Sequence, residues 1–175
     1  MNKNNSIEQL ISKFHDLGKV KTGRGPKHPQ SPNQELAQEI TDFLKFYPFL
    51  RQDQGYIDFL QSYAGLLVYR DNDFFSLGIY GFDEDVSLHL IKGEGELIDE
   101  VGMLTFADLT LPVQQGDQSA DNLIGIGFAY DTTQQRTWGV YRCIDEEPYQ
   151  WYCATFLELL ERIVNHKGRL LEDII

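Results

Sequence analysis

The sequence predicts an α+β fold, one mainly antiparallel sheet of about six strands flanked by helices. Three observations predict it. Helical amphipathic spacing dominates residues 6–64. From Leu66 to Cys143 the chain turns to runs rich in Val, Ile, Phe and Tyr, broken by Asp, Asn, Gly and Gln, with no helical pattern between them. One more amphipathic segment closes the chain. Consecutive strands without interposed helices pair antiparallel.

In chain order, Ser6 opens a helix whose Ile7, Leu10, Ile11, Phe14 and Leu17 form one apolar stripe, and Gly18 stops it. Residues 18–30 hold Gly18, Gly23, Gly25, Pro26 and Pro29 with four basic residues, which reads as a mobile loop or linker. The chain then divides into an N-terminal helix with a basic linker (1–33) and an α+β domain (34–175). Ser31-Pro32 opens a second helix with Leu36, Ile40, Phe43, Leu44 and Tyr47 inward, ended by Pro48. A third runs from about Gly55 to Ala64, with Gly65 as its left-handed stop. Strands are expected at 66–69, 74–82, 86–91, 97–106, 123–130 and 137–143, with the turn of a hairpin at 131–136. Thr155 and Glu158 read as the capping box of a final helix.

The formal net charge is −12, unevenly spread. Residues 1–32 carry six Lys/Arg against Glu8 and Asp16, a net of +4; residues 33–161 carry six against 23 acids, a net of −17. An acidic body repels nucleic acid and attracts a basic protein. The polar start Met1–Asn5 is unlike a secretory signal, and no run approaches the roughly 18 apolar residues a membrane span needs, so the expected setting is cytoplasmic, without membrane attachment. Cys143 and Cys153 lack zinc or CxxC spacing and read as free thiols.

No nucleophile elbow, P-loop or full dinucleotide fingerprint is present, and no two of His15, His28, His89 and His166 share metal-ligand spacing. Neither a cofactor nor a metal is expected. Gly125-Ile126-Gly127 is a pair of strand glycines, the mark of a bulge or a close backbone approach. What remains is carboxylates: Asp83-Glu84-Asp85, Glu94 and Glu96, Asp99-Glu100, and Asp145-Glu146-Glu147. The two triplets read as solvated loop tips suited to pairing with Lys and Arg of a partner, Glu94 and Glu96 as rim, and Tyr80 or Trp138 as an aromatic anchor. Trp138 also reads as core, and a carboxylate pair could serve a small hydrolase.

Tyr47-Pro48 with Tyr56-Ile57-Asp58-Phe59-Leu60-Gln61-Ser62-Tyr63-Ala64-Gly65-Leu66 resembles the helical entry of the SUKH superfamily, the Smi/Knr-like domains. The Phe82 region with its following acids, the hairpin from Gly127-Phe128-Ala129-Tyr130-Asp131 to Trp138-Gly139-Val140-Tyr141, and the closing helix from Thr155 are similar to the same family. The resemblance covers roughly residues 34–165. It implies a sheet wrapped by helices, no catalytic residues and a binding function. Many bacterial members are immunity proteins that neutralise a cognate toxin, often a nuclease; fungal members are regulatory interaction proteins. The expectation is therefore a non-catalytic immunity-type domain with a basic partner, or a regulatory interaction domain with no toxin involved.

Overall fold

The computed structural model describes residues 3–86, 97–113 and 123–167, and the side chains from residue 7 onward. Helix α1 spans Lys3–Phe14, and its Ile7, Leu10, Ile11 and Phe14 are buried. Helix α2 (Ala37–Phe46) buries Ile40, Phe43 and Leu44. Helix α3 (Gln54–Ser62) buries Tyr56, Phe59 and Leu60, and helix α4 (Phe156–Asn165) buries Phe156, Leu159, Leu160 and Ile163. The spacing read from the sequence holds in all four. At α4 the capping box is present: Glu158 N donates to Thr155 Oγ1 (3.2 Å), and Ala154 N donates to Glu158 Oε2 (2.9 Å). The start of α2 differs. Asn33, not Ser31, caps a short 3-10 turn at Gln34–Leu36 that precedes the helix. Ser31 instead accepts from Arg24 Nη1 and donates its N–H to His28 Nδ1.

The sheet is a seven-stranded antiparallel meander, β1 to β7 in sequence order, and it is not closed. Its strands are β1 Lys19–Thr22, β2 Leu66–Tyr69, β3 Ser76–Ile79, β4 Met103–Pro112, β5 Leu123–Asp131, β6 Val140–Ile144 and β7 Gln150–Cys153. The strand expected at 86–91 lies outside the described residues beyond Val86. The one expected at 97–106 begins later and runs to Pro112. The cause is a tight turn: the Asp99 carboxylate accepts the N–H groups of Val101 and Met103, and Gly102 takes φ +82°. The last strand, β7, had no counterpart in the sequence reading.

The largest correction concerns residues 18–30. They are not a loose linker. Lys19–Thr22 pairs with Leu66–Tyr69 as an edge strand of the sheet. Gly25 N and Lys27 N then donate to the carbonyls of Ser62 and Gln61, satisfying the open C-terminal end of α3. A Cβ on Gly25 would lie 2.1 Å from the Gln61 carbonyl oxygen, so the glycine is there for close approach.

All four helices share one core with one face of the sheet. Tyr56 and Phe59 of α3 meet Phe106 of β4, Tyr130 of β5 and Phe156 of α4, with Phe106 and Tyr130 stacked at 4.4 Å. At its centre sits Asp53, 2% exposed. Its Oδ2 accepts from the Tyr130 hydroxyl (2.9 Å) and from Phe156 N (2.8 Å), tying the entry of α3 to β5 and to the first turn of α4. Burial raises its pKa, against the pull of those bonds. No described helix is long and apolar enough to cross a membrane.

Candidate partner-binding surface

The other face of the sheet is built from different residues. Strand alternation turns Leu77 and Ile79 inward and Gly78 outward. The register aligns Gly78, Asp108, Gly127 and Cys143 in one row across β3, β4, β5 and β6. The bulge between Thr105 and Ala107 places Phe106 and Ala107 both inward and returns Asp108 to the outer face. There the Asp108 carboxylate lies over Gly78, whose added Cβ would come within 2.7 Å of Oδ1. The Tyr80 hydroxyl donates to it, and burial against these neighbours raises the Asp108 pKa. Tyr80 itself is 7% exposed. It therefore orients Asp108 and offers little surface for a partner.

The triplet Asp145-Glu146-Glu147 forms the β6–β7 turn, with Asp145 and Glu146 in the left-handed region (φ 45° and 67°). Asp145 Oδ1 accepts from Gly125 N (2.8 Å), and Asp145 N donates to Gly125 O, pinning the turn to β5. All three acids are exposed. Asp99 lies instead in the turn before β4, where its carboxylate accepts from Val101 N and Met103 N. Burial first, and then the charges of Asp99, Glu146 and Glu147, push the Cys143 thiol up. Tyr149 connects the two regions. Its hydroxyl is hydrogen-bonded to Asp99 and Thr105, and burial together with Asp99 pushes it up to about 12.

The triplet Asp83-Glu84-Asp85 sits elsewhere. It follows β3 at the end of the sheet marked by Thr22 and Leu66, whereas the β6–β7 turn lies at the end marked by Tyr69 and Ser76. Asp83 is committed to the fold: Oδ2 accepts from Arg24 N and Oδ1 from Asp85 N. Lys21 reaches the Asp85 carbonyl. The two triplets therefore occupy opposite ends and opposite sides of the sheet and form no single rim. Glu94 and Glu96 lie outside the described residues.

Trp138 is half-buried and stacks on Tyr130 (5.5 Å, 13°), and its carbonyl accepts from Trp151 Nε1 (3.0 Å). It belongs to the helix-covered side of the β5–β6 hairpin, apart from the acids. Trp151 is 47% exposed on β7. Among the described residues no group of three His, Cys, Asp or Glu is arranged to hold a metal ion. Cys153 is buried and Cys143 half-buried, both as free thiols.

The sequence reading missed Asp108 and Tyr149 as parts of this face. A signal existed for Asp108, a lone acid in an otherwise apolar alternating run from Phe106 to Leu111. It went unread because the strand was expected to end at Phe106. Compared with known proteins, the chain matches no family model, no curated protein and no solved structure.

Proposed function

We propose that the chain is a non-catalytic protein-binding domain of the SUKH kind that captures a basic protein partner, acting as an immunity protein against a toxin. The observation that carries this reading is the exposed Asp145-Glu146-Glu147 turn, which Asp145 pins to β5, on a chain of net charge −12. Exposed carboxylates on a turn can pair with Lys or Arg of a partner, and a net charge of −12 speeds encounter with a cationic surface. A nuclease toxin fits this chemistry, because the surface that binds phosphate is the one such an inhibitor covers. The cytoplasm is the compartment in which such an inhibitor would meet its target.

The test is capture and rescue. The immobilised chain is exposed to lysate of its source cells at low and at high salt, and any retained protein is then expressed with and without the chain. One basic protein, released as salt rises and arresting growth only when expressed alone, is the expected result. Retention of nothing basic at low salt would sink the proposal. A basic partner that is harmless when expressed alone would reduce it to regulatory binding.

A further inference from the structure

The β5–β6 hairpin carries a cleft of about 180 Å³ lined by Gln52, Asp131, Gln134, Arg136, Thr137, Trp138 and Gly139. Its size suits one side chain, since pockets for whole small molecules run from roughly 300 Å³. One wall is held in place. Gln52 precedes Asp53, which is held by Tyr130 and Phe156, and Trp138 stacks on that same Tyr130. Asp131 is 7% exposed and accepts from Thr133 N, Thr133 Oγ1, Arg136 N and Arg136 Nη1. Its carboxylate has no need of a further partner, and its ion pair with Arg136 (3.2 Å) leaves the site without net charge.

What the cleft offers is unspent hydrogen bonding. Among the described residues the side-chain amides of Gln52 and Gln134 and the hydroxyl of Thr137 have no partner, and Arg136 uses only Nη1 of its side-chain nitrogens. The amides present donors and acceptors together, beside an indole wall. A charged group gains little in a neutral site, whereas a planar primary carboxamide matches both hydrogen-bonding senses and can lie against Trp138. We propose that this cleft receives an asparagine or glutamine side chain of a protein partner, which rests on the protein-binding reading and adds a neutral, specific contact to its electrostatics.

The experiment follows the indole signal of Trp138 and the side-chain amide signals of Gln52 and Gln134 in the isotope-labelled full chain. The probes are acetyl-asparagine N-methylamide and its aspartate and alanine counterparts. The asparagine probe is expected to move all three signals and to bind at least about tenfold more tightly than the other two, about 1.4 kcal/mol. In the double variant Gln52→Ala/Gln134→Gly those shifts should vanish with the fold intact, since both side chains are exposed and glycine suits the φ of 58° at residue 134. Equal shifts from the aspartate or alanine probe, or undiminished binding by the double variant, would overturn the proposal. A basic protein captured equally by wild type and double variant would overturn it while leaving the protein-binding reading standing. Asparagine binding without any captured protein would do the reverse.

Discussion

The two faces of the sheet are made from the same strands and share almost no chemistry. The inner face carries Leu66, Val68, Leu77, Ile79, Phe106, Phe128 and Tyr130, all buried beneath helices. The outer face carries Gly78, Asp108, Gly125, Gly127 and Cys143 along the middle, with a small cluster of Met103, Ala129, Tyr141 and Tyr149 beside them and the exposed Glu146 and Glu147 on the β6–β7 turn. Even the acids of the two faces differ in purpose. Asp53 inside joins three elements, while Asp108 outside is held by the Tyr80 hydroxyl and the Gly78 backbone. The contrast teaches where each part of the free energy lies. Stability is concentrated on one side, so the other is free to keep residues that fold poorly into strands but leave room for contact.

The strongest way to break this comparison is Asp53→Ala. It would strand the Tyr130 hydroxyl and the Phe156 N–H in the core and unfasten α3 from α4. The expected loss is about 3 kcal/mol or more, read from urea unfolding midpoints. A loss below about 1 kcal/mol would mean that the inner face is not organised around this carboxylate.

A pair of glycines makes the next test, on the outer face alone. A Cβ at Gly78 meets Asp108 Oδ1 at 2.7 Å, whereas at Gly127 it meets only Thr105 Cγ2 at 4.0 Å. Gly78→Val should cost roughly 1–3 kcal/mol by displacing Asp108. Gly127→Val should be neutral, or stabilising by up to about 1 kcal/mol through its strand preference. If both proved equally harmful, the space above Gly127 would be filled in the folded protein and the idea of an open contact face would fail.

The pH dependence sharpens the same contrast. The folded pKa of Asp53 is raised, mainly by burial, so its contribution to stability is complete below the ordinary carboxylate value of about 3.9 and is lost as pH rises through the folded value. Glu158 has the opposite sign: the Ala154 N–H bond lowers its pKa, and its contribution is lost as pH falls. Asp53→Asn keeps an oxygen for Tyr130 and Phe156 but cannot ionise. The stability gap between wild type and this variant should therefore narrow from pH 4 to pH 7, read from urea unfolding at both pH values. A gap that widened would show that Asp53 is held as an anion by more than its hydrogen bonds.

How much of this was legible follows the same division. Apolar spacing found all four helices, because a helix stripe repeats often enough within one segment to be read locally. Four of the strand runs were found in the same way. Strand β1 was not, because Lys19-Val20-Lys21-Thr22 looks like a basic linker until Tyr69 and Leu66 are beside it, and pairing across more than forty residues leaves no local trace. Its glycines were read as freedom when they served contact with α3. The site was less legible still. Acids could be recognised as acids, but which of them stand near one another depends on register, and Asp83 and Asp145 are tied to opposite ends of the sheet. The pair Gly125 and Gly127 reads as a bulge or a close approach, and the structure has neither there: the register shift lies in β4, and an added Cβ would meet nothing nearer than 3.7 Å at Gly125 or 4.0 Å at Gly127.

The finest comparison is between two tyrosines whose rings lie 5.5 Å apart, both completely buried. The Tyr130 hydroxyl donates to Asp53, whereas the Tyr56 hydroxyl has no hydrogen-bond partner among the described residues. Burial pushes the pKa of both upward, so both stay neutral through the physiological range. Removing the hydroxyl of Tyr130 leaves the Asp53 carboxylate short of a donor, and Tyr130→Phe should lose about 1–2 kcal/mol. Removing that of Tyr56 relieves a buried polar atom that was never satisfied. Tyr56→Phe should leave stability unchanged or raise it by up to about 1 kcal/mol, measured by urea unfolding beside wild type. A loss in Tyr56→Phe matching that in Tyr130→Phe would show that the Tyr56 hydroxyl has a partner in solution, and the hydrogen bonding of the inner face would then extend beyond Asp53.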